Sequence, residues 1–79
     1  MDVQIAQHVD QEPTRIVDGG FGIWHAIFQI NGEDFCREDA PNYIAFPCDA
    51  TVWANRHLRQ SYQTNPKLPK GLTFQIERW

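Results

Sequence analysis

The chain has 79 residues, of which 42% are hydrophobic and 22% charged, and a formal net charge of −3. That length specifies one domain, residues 1–79, with a single core: at this size folding buries only about 60–65% of the unfolded chain's surface, and the apolar content argues against disorder. No run reaches the roughly 20 apolar residues of a membrane span, and MDVQIAQHVD lacks the basic start and continuous apolar stretch of a signal peptide, so the expected location is cytoplasmic.

In chain order, residues 3–9 alternate, with Val3, Ile5 and Val9 opposed to Gln4, Ala6 and His8, which predicts a first strand. Asp10 to Thr14, containing Pro13 and two acids, reads as a loop. Ile16 and Val17 allow a short bridge before Asp18-Gly19-Gly20 reverses the chain. Gly19, Gly20 and Gly22 then open a strand. A phosphate-binding loop would need them to open a helix, so they read as a flexible strand entry.

The strongest local signal follows. Asn31-Gly32 suits the positive φ values of a type I′ turn, between an apolar strand over residues 23–30 and a shorter return strand over 33–37. Trp24, Ala26, Phe28 and Ile30 share one face of the first strand, and Ile23, His25, Ile27 and Gln29 share the other. Residues 43–46 predict another short strand ending at Pro47. Residues 50–63 predict a helix with Asp49 as its N-cap. Ala50, Trp53, Ala54, His57, Leu58 and Ser61 form its inner side and Thr51, Asn55, Arg56, Arg59 and Gln60 its outer side. Pro66 and Pro69 end it, and residues 71–79 alternate as a last strand with Leu72, Phe74 and Ile76 inward. The expected fold class is α+β: a small antiparallel β-sheet of four to five strands, in the order β-β-β-β-α-β, with one helix packed on one face. Its core is Trp24, Phe28 and Ile30 with Leu72, Phe74 and Ile76, covered by Trp53, Ala54 and Leu58.

Charge is divided along the chain. Up to Asp49, nine carboxylates face only Arg15 and Arg37; from Ala50 onward, five bases face only Glu77. If the division survives folding, the protein has one acidic and one modestly basic surface. Glu33, Asp34, Glu38 and Asp39 form the acidic edge of the hairpin, suited to steering association with a basic partner. The same acids could simply keep a sheet edge from pairing. Arg56 and Arg59 on the helix, followed by Lys67 and Lys70, form the competing surface, a weak phosphate stripe without aromatic-basic interleaving.

Catalytic and metal chemistry find little purchase. Cys48 precedes the helix, but Asp49 beside it disfavours a thiolate. His8, His25, His57, Cys36 and Cys48 are not at separations that preposition ligands for zinc, and the acid pairs lie in or beside turns, where carboxylates are ordinarily solvated. Both cysteines are expected to be buried free thiols. No catalytic residue, metal or cofactor is therefore expected. The functional expectation is a small non-enzymatic protein-binding module, an accessory or inhibitory protein of the phage or mobile-element type, such as an anti-CRISPR-like inhibitor, that occupies a basic surface of a larger partner. That partner could be a nucleic-acid-handling complex. Two alternatives are direct nucleic-acid binding through Arg56 and Arg59, and a homodimer burying Ile23, Ile27 or Trp79.

Overall fold

In the computed structural model, which describes residues 9–79, the chain forms β1 (Ile16–Asp18), β2 (His25–Ile30), β3 (Glu33–Asp39), α1 (Pro47–Thr64) and β4 (Thr73–Arg78). The strands lie in the order β1-β4-β2-β3. The fold is α+β, a four-stranded sheet with one helix between β3 and β4. Among the described residues no helix is long and apolar enough to cross a membrane. The strand expected over residues 3–9 falls outside the described residues, except Val9, which belongs to no strand.

The sheet is mixed, not wholly antiparallel. β2 runs antiparallel to both β3 and β4, whereas β1 pairs parallel with β4, Ile16 opposite Ile76 and Asp18 opposite Arg78. The chain reverses at Gly19 and Gly20, so β1 opposes β2 in direction. β4 opposes β2 as well, and so must run parallel to β1. Sequence alternation specifies which residues form strands but not which strands become neighbours.

At Asn31 and Gly32 the φ values are +54° and +82°, the left-handed pair that the type I′ turn requires. Beyond the turn the register of β2 on β3 slips between Phe28 and Gln29, because Phe28 faces Cys36 while Gln29 faces Asp34. Phe35 is therefore an extra residue, a β-bulge in β3.

Residues 43–46 form no strand. They belong to the crossover from β3 to α1, which turns through an Ile44 N–H to Pro41 carbonyl bond of 3.1 Å. Two side chains pin it: Trp24 Nε1 and Arg78 Nη1 both donate to the Ala45 carbonyl, at 3.3 and 3.0 Å. The helix also begins three residues earlier than expected. Pro47 occupies its first turn, where the missing N–H costs nothing and the fixed φ suits the helix. Phe46 is the N-cap, with no side-chain bond, and Asp49 sits inside the first turn instead of capping it. There its carboxylate still faces the positive end of the helix dipole.

α1 lies across β2 and β4 and leaves β3 uncovered. Trp24, Ala26 and Phe28 meet Leu72, Phe74 and Ile76 from the sheet and Ala50, Ala54 and Leu58 from the helix, all buried; Ile30 and Trp53, placed in the expected core, are only partly buried. The small side chains at 26, 50 and 54 leave room for Trp24, Phe28 and Phe74, each worth about 2–3 kcal/mol of apolar burial. Phe74 meets Phe28 edge-on at 6.1 Å between centroids, and His57 stacks on Phe28 at 5.5 Å.

Asn55, expected on the outer helix side, is buried at 5% exposure. The segment before β1 covers it and continues along β4, where the Thr14 N–H donates to the Phe74 carbonyl and the Ile76 N–H to the Arg15 carbonyl. Cys36 and Cys48 are free thiols, as expected, but both are exposed. Cys36 sits on the outer strand β3 and Cys48 in the first turn of α1, where among the described residues no other element packs over them.

Candidate functional site

β3 is the outer strand of the sheet on the side away from β1, and nearly all its residues are exposed. The ladder register shows which backbone groups it leaves open. The Ala40 N–H donates to the Trp24 carbonyl, and antiparallel pairs alternate between bonded and non-bonded positions. Cys36 and Glu38 therefore turn their N–H and C=O inward on Phe28 and Ala26, while Arg37 and Asp39 turn theirs outward off the sheet. Among the described residues nothing pairs with that outer side.

The four acids lie along this edge but divide between its faces. Asp34 and Asp39 sit on the face opposite the helix, level with Gln29 and His25; Glu33 and Glu38 sit on the helix side, level with Ile30 and Ala26. Gln29 Nε2 donates to Asp34 Oδ1 at 3.0 Å. His25 Nδ1 lies 2.7 Å from Asp39 Oδ1, and Arg37 Nε 3.9 Å from the same oxygen. Glu33, Asp34 and Asp39 remain exposed and Glu38 is half-buried.

Because α1 stops short of β3, a half-open cleft of about 120 Å³ remains between them. Phe28, Phe35, Leu58, Leu68 and Leu72 supply its apolar lining, with Cys36 and Glu38 beside them on β3. The bulge puts Phe35 here: an extra residue next to Cys36 lets both side chains lean to the helix side. Partial burial, and then the neighbouring Glu38 carboxylate, push the Cys36 thiol above its ordinary range. Both effects disfavour the thiolate that nucleophilic or metal chemistry would use. Among the described residues no three His, Cys, Asp or Glu side chains are grouped to hold a metal ion.

The competing basic surface is partly neutralised. Arg56 is exposed, but Arg59 makes an ion pair with Asp10 in the segment before β1. The two arginines thus share a helix without both facing solvent as a free pair. Lys67 and Lys70 are exposed in the loop that follows.

Sequence reasoning gave no role to Phe35 or Leu68, the cleft residues, or to a set of exposed aromatics at Phe21, Tyr43 and Phe46. For Phe35 a signal was present: a single large apolar residue interrupts the charged run Glu33 to Asp39. Trp79, raised in the homodimer alternative, is 65% exposed, and Ile23 37%. No protein-family model matches the chain, and comparisons with curated proteins and with solved structures find no match to it either.

Proposed function

We propose that this protein is a binding module without catalytic chemistry of its own, which docks the β3 edge on a basic surface of a larger protein and acts by occupying it. One observation carries the reading: β3 is a seven-residue outer strand with its outward backbone groups at Arg37 and Asp39 unpaired among the described residues, and with acids on both of its faces. Glu33, Asp34 and Glu38, with Asp39 already shared between His25 and Arg37, favour a cationic partner and speed encounter with it. The nucleic-acid reading is the weaker of the two, since Arg59 is already engaged by Asp10 and the remaining bases offer few phosphate contacts on a chain of net charge −3. A homodimer joined by β3 edges would bring together two strands of the same net negative charge, each with four acids and Arg37.

Affinity capture from the native host at physiological salt tests this. The variant E33Q/D34N/E38Q/D39N is expected to lose the partner that the unaltered protein retains, while R56Q/R59Q keeps it. Retention by the first variant and loss by the second would refute the proposal and transfer the function to the helix, and retention of both variants on immobilised DNA or RNA at low salt would count against it equally.

A further inference from the structure

We infer that the partner is bound as an extended strand added to the outer edge of β3, with an apolar side chain seated in the cleft between β3 and α1 and basic side chains on the opposite face. This rests on the reading of β3 as the docking edge and specifies what docks there. Two independent features meet at that edge. Arg37 and Asp39 offer outward N–H and C=O groups at the spacing of a ladder, and strand addition draws affinity from such groups and specificity from pockets that take alternate side chains. The cleft is such a pocket. Its volume of about 120 Å³ is room for one aliphatic side chain, and Phe35, Leu58, Leu68 and Leu72 would surround it.

The bulge at Phe35 interrupts the edge, which limits ladder pairing to the regular stretch from Cys36 to Asp39. An added strand there alternates its own side chains between the helix side, where the cleft lies, and the open side, where Asp39 lies beside Arg37 and Asp34 follows beyond the bulge. Charge complementarity selects the occupant. The edge from Glu33 to Asp39 carries four acids against one base, Arg37, so its net negative charge disfavours a second β3 edge and attracts basic residues, while the cleft selects an apolar residue on the helix side.

A fluorescent octapeptide alternating lysine and valine, titrated into the protein at low salt, tests the inference against two further versions, N-methylated on the lysines or on the valines. All three carry the same charges and side chains, but each methylated version lacks the N–H groups of one strand edge. Binding is expected to fall at least tenfold for one methylated version only: the lysine version if the added strand is antiparallel, the valine version if parallel. The parent peptide is also expected to slow amide exchange at Arg37 and Asp39.

Arg37→Pro removes an outward N–H while sparing the ladder to β2, since that N–H is not used there. It should weaken peptide binding tenfold or more, although deleting a positive charge would tighten a purely electrostatic complex. Should this variant unfold by circular dichroism, the methylated peptides decide alone. Equal binding of all three peptides would overturn strand addition and leave the acidic-surface reading standing. If methylation matters but E33Q/D34N/E38Q/D39N binds as tightly as the unaltered protein, strand addition stands and the acidic reading falls. No binding of the parent peptide overturns the inference. So does protection of Arg37 and Asp39 in the protein alone with a doubled mass, which would assign the edge to a second copy.

Discussion

Gln11 and Asn55, 44 residues apart, hold each other by two hydrogen bonds: the Gln11 N–H donates to Asn55 Oδ1 and Asn55 Nδ2 donates to the Gln11 carbonyl, each at 3.0 Å. Asn55 Nδ2 also reaches the Thr51 carbonyl one turn back, at 3.1 Å, and Gln11 Nε2 donates to the Leu72 carbonyl at 2.9 Å. One buried amide thus satisfies the backbone of the segment before β1 and fixes that segment between α1 and β4. Asn55→Leu should therefore cost about 2 kcal/mol, because it strands the partly buried N–H and carbonyl of Gln11. In a domain of this size that is a fall of roughly 10 °C in Tm. Thermal unfolding measures the loss, and amide exchange at Gln11 should accelerate far more than exchange at Phe28.

Gly20 and Gly22 wrap the backbone of Trp79. The Gly22 N–H donates to the Trp79 carbonyl at 2.7 Å, and a Cβ at either glycine would come within 2.4 Å of that residue's carbonyl group. Gly20→Ala should then force the loop off β4, at about 2–3 kcal/mol by the usual scale of overpacking. Gly32→Ala makes the contrast. It meets nothing within 4 Å and bears only the strain of its φ of +82°, about 1 kcal/mol. Denaturant midpoints of the two variants should fall in that order; the reverse order would show that steric approach at Trp79 matters less than turn geometry.

Arg78 ties three segments together. Its Nε and Nη2 both reach Asp18 Oδ1, at 3.0 and 2.9 Å, its Nη1 reaches the Ala45 carbonyl, and its guanidinium lies 4.8 Å from the Trp24 ring centroid. A lysine cannot reproduce a planar fork and a stacked face together. Arg78→Lys is expected to cost about 1–2 kcal/mol, and Asp18→Asn less than about 1 kcal/mol, since Asp18 is solvent-exposed. Chemical denaturation of both variants and of the double variant gives the coupling.

Cys36 should resist alkylation near neutral pH. Burial and then Glu38 raise its thiol, so the iodoacetamide rate at Cys36 should rise with pH through a midpoint above the ordinary thiol range of about 8.5. Glu38→Gln should lower that midpoint, while full removal of the shift would need loss of the cleft as well. The linkage runs in the same direction: a thiol with a raised native pKa contributes its stability below the unfolded value and loses it as pH climbs through the native one. The protein should therefore soften on the alkaline side from this group, and not on the acid side.

Much of the architecture was legible in the residues. Asn31-Gly32, the alternation through Trp24, Ala26 and Phe28, the inward run Leu72, Phe74 and Ile76, and the helix face carrying Ala54 and Leu58 are periodic or conformational properties of short segments, and short segments report them directly. The acids of the candidate edge were equally visible as residues. What could not be read was their division between two faces, because that depends on the register of β2 against β3 and on one inserted residue, Phe35. Asn55 was misplaced for a related reason: on a helix wheel it is polar and outward, and only a segment remote in sequence turns it into a buried partner.

Local sequence specifies a small α+β fold with a type I′ hairpin, one amphipathic helix and an acidic run beside the turn, because propensity, periodicity and charge act within a few residues. Only the tertiary structure decided that β4 enters between β1 and β2, that β3 is left as an open edge, and that a cleft opens between it and α1. Those outcomes are set by non-local pairing and by how far a single helix can spread across four strands, which no local window contains.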